Sequence, residues 1–221
     1  MNENKRKIKP GLKSLGSGHR TLGKTIGIIV LITAALLMVS GSSIAMFIEV
    51  QSWETDMGEW TKDYDLPEDP NLMGEASAGK LVYWHIERTD KIAYKGKWCL
   101  ELAIDGRQDD GTVWMEKIVP ANPKAPVTVV FIDFYVYSKW KSAANQWKVL
   151  AYAGVEDPDR ENDFTIVGYT EPGVGWFRYR LVERIWTHGS DDIYVAFGIS
   201  VLWESYREYH FDHVIVRTTG I

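Results

Sequence analysis

The stretch Val127-Thr128-Val129-Val130-Phe131-Ile132-Asp133-Phe134-Tyr135-Val136-Tyr137 decides the fold class of this chain of 221 residues. Side chains of an extended strand point alternately to opposite faces, so the run splits into two sets. Thr128, Val130, Ile132, Phe134 and Val136 form an apolar set that should face a core. Val127, Val129, Phe131, Asp133, Tyr135 and Tyr137 mix aromatics with an acid, the composition of a half-exposed face.

Working outward, further strand candidates are expected at 81–87, 97–104, 112–119, 146–153, 163–169, 175–186, 193–202 and 206–217. Turn formers stand between them, among them Asp109-Asp110-Gly111, Pro120-Ala121-Asn122-Pro123, Glu171-Pro172-Gly173 and Gly189-Ser190-Asp191. Nine strands without a convincing helix predict an all-β sandwich or barrel. In 175–186 one face carries Trp176, Arg178, Arg180, Val182, Arg184 and Trp186, opposite Phe177, Tyr179, Leu181 and Ile185. Arginines flanked by tryptophans could grip an anionic ligand by charge and stacking, or pair with surface acids. The sequence shows no internal repeat and no low-complexity segment.

Before the strands lies an uncharged apolar run, residues 26–47, long enough as a helix to cross a bilayer. Lys5, Arg6, Lys7, Lys9, Lys13, Arg20 and Lys24 precede it and acids follow it, so the tail is expected in the cytoplasm and the rest outside. This divides the chain into a basic cytoplasmic tail (1–24), a transmembrane signal-anchor helix (25–48), an acidic loop-rich lead-in including the first strand (49–79) and the sandwich body (80–221). The predicted location is the cell membrane, single-pass, with the C-terminal domain extracellular. A rival reading takes 26–39 as a signal-peptide core, with Ser43-Ile44-Ala45 as a small-x-small cleavage site. Cleavage after Ala45 would make the domain a secreted one. Both readings export it.

Seven of the 25 Lys and Arg and two of the 30 Asp and Glu precede Val50, which leaves 18 basic against 28 acidic residues beyond it. Such a domain is a poor partner for nucleic acid, whose phosphates demand a positive face. The acids suit calcium, or simply keep the domain soluble. The single cysteine, Cys99, excludes an internal disulfide and reads as a buried thiol. All ten Trp lie beyond the apolar run, most of them needed for the core and a few available for flat ligands.

Three patches resemble the jelly-roll carbohydrate-binding modules and the wider galactose-binding-like sandwiches. These are Ser52-Trp53-Glu54-Thr55-Asp56-Met57-Gly58-Glu59-Trp60, Ala93-Tyr94-Lys95-Gly96-Lys97-Trp98-Cys99-Leu100-Glu101-Leu102 and Tyr209-His210-Phe211-Asp212-His213-Val214-Ile215-Val216. They look like that group's opening strand, its Gly-centred turn and its closing strand. The resemblance implies a jelly-roll β-sandwich ectodomain. It also implies a structural calcium held by Glu54, the turn at Lys95 and Gly96, and Asp212, with a hydrogen-bonded Asp212 tying the termini as the alternative. His213 stands where that group often has a second acid. A separate acid-rich turn, Asp105 to Gly111, could wrap a cation or merely solvate a hairpin end.

No Gly-x-Ser-x-Gly elbow, P-loop or His-Glu-x-x-His pair occurs. On a regular strand His210 and Asp212 share a face and His213 points away, which does not gather a metal site. Glu101, Glu116, Asp133 and Glu183 are strand-borne acids that could serve a glycan hydrolase or lyase, the third reading. The leading expectation is a non-catalytic module that binds polysaccharide or glycan. Its ligand-binding residues are expected among Trp114, Tyr135, Tyr137, Trp140, Trp147, Arg178, Arg180 and Trp186, with Trp140 and Trp147 bracketing an exposed loop. The second reading is a structural or assembly protein that uses the same aromatics against copies of itself or a surface protein partner.

Overall fold

A computed structural model describes residues 46–71, 79–122, 124–141, 146–170, 172–190 and 192–221. The tail expected in the cytoplasm, nearly all of the expected membrane segment and the expected cleavage site lie outside the described residues. Two antiparallel sheets face each other. The first contains β1 (Met46–Gln51), β3 (Trp84–Thr89), β4 (Cys99–Asp105), β6 (Val127–Ser138), β9 (Gly175–Trp186) and β11 (Tyr206–Gly220). Its order is β3-β4-β11-β6-β9, with β1 alongside the second half of β11. The second contains β2 (Thr61–Asp65), β5 (Thr112–Pro120), β7 (Lys148–Gly154), β8 (Thr165–Tyr169) and β10 (Asp192–Ser200), in the order β2-β5-β10-β7-β8.

The alternation that predicted β6 is the one observed. Val130, Ile132, Phe134 and Val136 are buried, while Val129, Phe131, Tyr135 and Tyr137 are half-exposed on the outer face. Phe134 packs against Phe197 of β10 at 5.3 Å between ring centres and against Phe211 of β11 at 5.7 Å, so one aromatic contact set joins the two sheets. Fully burying a side chain of this size contributes roughly 1.5–3 kcal/mol. Trp53 and Trp60 close one end of the core, with centroids 6.2 Å apart. Cys99 is buried, and burial pushes its thiol up to about 12.

Nine expected strands are present with shifted ends, and two segments correct the sequence reading. The first is at the end of the apolar run. Met46 to Ile48, assigned to the membrane segment, belong to β1 and pair with Arg217 to Thr219 of β11. The second is the opening stretch 52–60, which forms no strand. Trp53 and Gly58 both adopt a positive φ (62° each), a backbone turn that breaks an extended run and tucks Trp53 and Trp60 inward. The strands flank this stretch as β1 and β2.

β11 departs from regular register between Asp212 and Ile215, and His213 sits at φ 52°. A bulge of this kind re-aims side chains. His213 therefore does not point away to the core side. Its ring lies 6.1 Å from those of Tyr94 and Tyr135.

Gly198 of β10 stands opposite Trp114 of β5. A Cβ built there would lie 2.2 Å from the Val113 carbonyl oxygen and 2.8 Å from the Trp114 Cα, both main-chain atoms that cannot swing aside. Gly198→Ala is expected to destabilise the domain by about 2 kcal/mol, read as a lowered urea midpoint with an unchanged slope.

Candidate functional site

The turn at 94–98 is held from both sides by carboxylates. Asp212 Oδ2 accepts the Tyr94 and Lys95 backbone N–H groups at 2.8 Å each, and its Oδ1 accepts that of His213 at 2.6 Å. Glu54 Oε1 accepts the Lys97 N–H at 2.9 Å and the Trp98 N–H at 3.0 Å. Gly96 at the apex has φ 78°, and a Cβ there would meet Glu54 Oε1 at 2.3 Å, so only glycine fits this approach. The Trp98 and then the Lys97 N–H bonds hold the Glu54 carboxyl below its ordinary value. Burial pushes Asp212 up, against the pull of its three N–H donors.

The expected assembly of Glu54, the 95–96 turn and Asp212 is therefore present, but its chemistry is not that of a calcium site. Calcium needs carboxylate lone pairs and carbonyl oxygens. Here the turn offers N–H groups, which occupy those lone pairs. Among the described residues no three His, Cys, Asp or Glu side chains gather as a metal ion requires. The acid-rich turn beyond β4 closes on itself through an ion pair between Asp105 and Arg107.

Fixing the turn fixes Tyr94. Its ring stacks on Tyr135 at 3.8 Å with 15° between planes, and Trp176 meets it edge-on at 5.7 Å. Tyr137 continues the series, 5.4 Å from Trp176 and 6.1 Å from His210. The strand register accounts for this grouping, since Tyr135 stands opposite Arg178 and Tyr137 opposite both Trp176 and His210. All lie on the outer face of the six-stranded sheet.

Charged groups border the rings in two sets. On one side Asp133 is buried, and its Oδ1 accepts Arg178 Nε at 3.0 Å and Arg180 Nε at 2.8 Å. Both guanidiniums are half exposed and keep further N–H donors for a ligand. On the other side Glu101, nearly buried, takes Lys91 Nζ at 2.8 Å and His85 Nε2 at 3.1 Å. Burial opposes its ionisation, but the hydrogen bonds from Lys91 and His85 and the nearby His210 outweigh it, so its pKa falls below the usual value. His210 Nε2 lies 3.1 Å from Glu101 Oε2, yet out of line, and neither ring nitrogen makes a hydrogen bond. Desolvation first, offset by Glu101, lowers its pKa and keeps the ring neutral near pH 7.

Of the ligand residues expected from sequence, Tyr135, Tyr137, Arg178 and Arg180 are brought together. Trp186 shares their face but sits at the far end of β9, about 33 Å along the strand from Trp176. Trp140 is half-buried at the edge, between the cations of Lys139 and Arg207, each 4.9 Å from its ring. Two residues are corrections. Trp147 is fully buried in the core, donating its Nε1–H to the Trp203 carbonyl at 3.3 Å and packing its ring against Tyr209. Trp114 lies on the outer face of the other sheet but is buried beneath Phe164, with its Nε1–H on Glu116 Oε2 at 2.7 Å. Sequence reasoning missed Tyr94 and Trp176. The alternation of β9 already put Trp176 beside Arg178, whereas Tyr94 reaches the face only through the Asp212 clamp.

A concavity of about 480 Å³ opens on the outer face of the five-stranded sheet, lined by Glu59, Thr61, Glu116, Lys117, Ile118, Asp157 and Tyr194. Burial, together with Asp157 and Asp63, raises Glu116 there despite its bond from Trp114. Its lining holds a single aromatic ring, Tyr194, and no stacked pair. The aromatic face is the better candidate for a planar ligand.

No protein-family model and no curated protein matches the chain. Solved structures do resemble it. One is described as carbohydrate-binding modules of the β-sandwich superfamily (14% identity, 72% of this chain, TM-score 0.44), and this chain spans only 56% of its length. Another is the C-terminal family 22 carbohydrate-binding module of Clostridium thermocellum Xyn10B (15% identity, 76% of this chain and 91% of that one, TM-score 0.42). A third is an adhesin domain of Lys-gingipain from Porphyromonas gingivalis (14% identity, 77% and 97%, TM-score 0.46). What the aromatic face can bind is decided by this chain's own side chains.

Two outcomes are expected from these contacts. Asp212→Ala leaves three N–H groups without their acceptor and should cost about 3 kcal/mol or more in urea unfolding, while EDTA leaves the wild-type melting temperature unchanged. Glu101 is more acidic folded than unfolded, so its stabilisation is present above the ordinary value of 4.5 and is lost as pH falls through the lowered one. The stability gap between wild type and Glu101→Gln, followed by urea midpoints, should therefore be widest near neutrality and shrink below pH 4.5.

Proposed function

We propose that this chain is a membrane-anchored extracellular module that binds a polysaccharide on the outer face of its six-stranded sheet, without catalysis. The observation that carries the reading is the continuous aromatic group Tyr94, Tyr135, Trp176 and Tyr137, bordered by charged side chains. Tyr94 is stacked on one side only and 43% exposed, which leaves its other ring face for the apolar face of a sugar. Arg178 and Lys91 stand at the two borders as hydrogen-bond donors to sugar hydroxyls or acidic substituents.

The carboxylates of this face favour binding over cleavage. Glycoside hydrolysis needs one carboxylic acid kept protonated near neutral pH. Glu101 is shifted the opposite way, and Asp133 is committed to two arginines. Anchoring is supported by the sequence: with Met46 in a strand, residues 26–45 still supply 20 uncharged positions, about 30 Å as a helix.

Affinity electrophoresis of residues 44–221 through gels of neutral and anionic polysaccharides tests the binding. Retardation by one polymer is expected, weakened roughly tenfold by Tyr94→Ala and by Trp176→Ala but unaffected by Trp186→Ala. Free migration of folded protein through the whole panel would remove the glycan reading.

A further inference from the structure

The outer face of the six-stranded sheet changes character beyond Asp133. Away from the aromatic group, the register sets Ile48 of β1, Arg217 of β11, Phe131 of β6 and Val182 of β9 in one row across four strands. β1 is turned inside out relative to a strand with one wet face. Its outward residues Met46, Ile48 and Val50 are all apolar and exposed, while Phe47, Glu49 and Gln51 point inward and are half-buried. Glu49 is accommodated there only because Lys117 Nζ at 2.7 Å and the Trp60 Nε1–H at 3.1 Å meet its carboxylate. Val182 and Trp186, the latter 63% exposed, extend the apolar surface to the opposite sheet edge. Exposed apolar surface that spans a sheet marks a place of contact.

We propose that this half of the sheet lies against the bilayer surface, with its apolar residues at the boundary between headgroups and acyl chains. The inference rests on the anchored reading above. Three observations select lipid as the occupant. The uncharged run 26–47 passes into β1 without a break, so Met46 and Phe47 belong to both the run and the strand. The patch carries Arg184 and Arg217 and no acid on the Ile48 row, although the chain beyond Val50 holds 28 acids against 18 bases. Basic groups around an apolar surface suit anionic headgroups. Trp186 at the rim is the residue type that favours the membrane interface. The contact leaves Tyr94, Trp176 and Tyr137 facing solvent at the other end of the same strands.

The test uses the full chain reconstituted in vesicles of phosphatidylcholine and phosphatidylglycerol. An environment-sensitive fluorophore is attached at Ile48→Cys, at Val182→Cys and, as a control on the other sheet, at Ile118→Cys. Cys99 is buried with its thiol raised to about 12, so labelling at neutral pH selects the introduced cysteine. The proposal expects blue-shifted emission at 48 and 182, quenching by nitroxide-labelled lipid, and iodide quenching roughly fivefold weaker than at 118. Iodide quenching equal at all three sites, with the protein still floating with vesicles after alkaline extraction, would overturn lipid docking and leave the anchor standing. Protection from both quenchers, together with cross-linking between copies through position 48, would overturn it in favour of a second copy on the patch. Release from vesicles by alkali would overturn the anchor and the docking together.

Discussion

Three backbone N–H groups converge on one carboxylate, Asp212, and the arrangement of the outer sheet face depends on that convergence. Two of them come from Tyr94 and Lys95, more than a hundred residues earlier in the chain, and the third from His213 beside it. The bulge in β11 begins just after Asp212, where the His213 N–H turns back onto the same carboxylate. Charge-assisted bonds of this kind are about twice as strong as neutral ones, so a single acid fixes a loop against the closing strand. Glu54 completes the clamp from the other side of Gly96. With the turn immobile, Tyr94 has one position, flat on Tyr135, and the aromatic group is set before any ligand arrives. Preorganisation of that sort reduces the ordering entropy that binding must overcome.

The same economy of acids governs the chemistry of the face. Asp133 pairs with two arginines, and Glu101 is shared among Lys91, His85 and the neighbouring His210. Each acid is surrounded by hydrogen-bond donors, an arrangement that orients cationic groups. The outer face is thus rich in hydrogen-bond donors whose counter-charges are buried under them. Such a surface recognises hydroxyl and carboxylate groups and does not transfer protons to them.

Period-two alternation made the sandwich legible, and it set Tyr135 with Tyr137 on one face of β6 and Arg178 with Arg180 on one face of β9, although not the pairing that joins the two. It could not place Tyr94, because the clamp that delivers it joins residues separated by 118 positions. It misjudged Trp114 and Trp147 for a related reason. Burial of an aromatic depends on what lies over it, Phe164 in one case and the Trp203–Tyr209 region in the other, and no local pattern reports that. The opening stretch failed through backbone conformation, since a tryptophan at positive φ has no sequence signature. Glu54, the turn at Lys95 and Gly96, and Asp212 do stand together, but acids facing a glycine turn read alike in sequence whether the turn offers carbonyls or N–H groups.

β1 was hidden by the segment it grows out of. Its outward residues Met46, Ile48 and Val50 extend the hydrophobicity of the run before them, so a hydropathy reading passes through the strand without noticing its period. What identifies it as a strand is its inward set, where Glu49 is met by Lys117 and Trp60 and six consecutive residues pair with β11. A strand that placed only polar residues outward would have separated the sheet from the apolar run by a wettable surface. This one does not, and across the row from Ile48 the residues Phe131 and Val182 keep the apolar character, with Arg217 between. The six-stranded sheet therefore carries two different surfaces on one face. Asp133 with its two arginines forms the boundary between a donor-rich aromatic half and an apolar half. The division follows from strand register alone, because moving any one of these strands by a single residue would turn its outward set into the core.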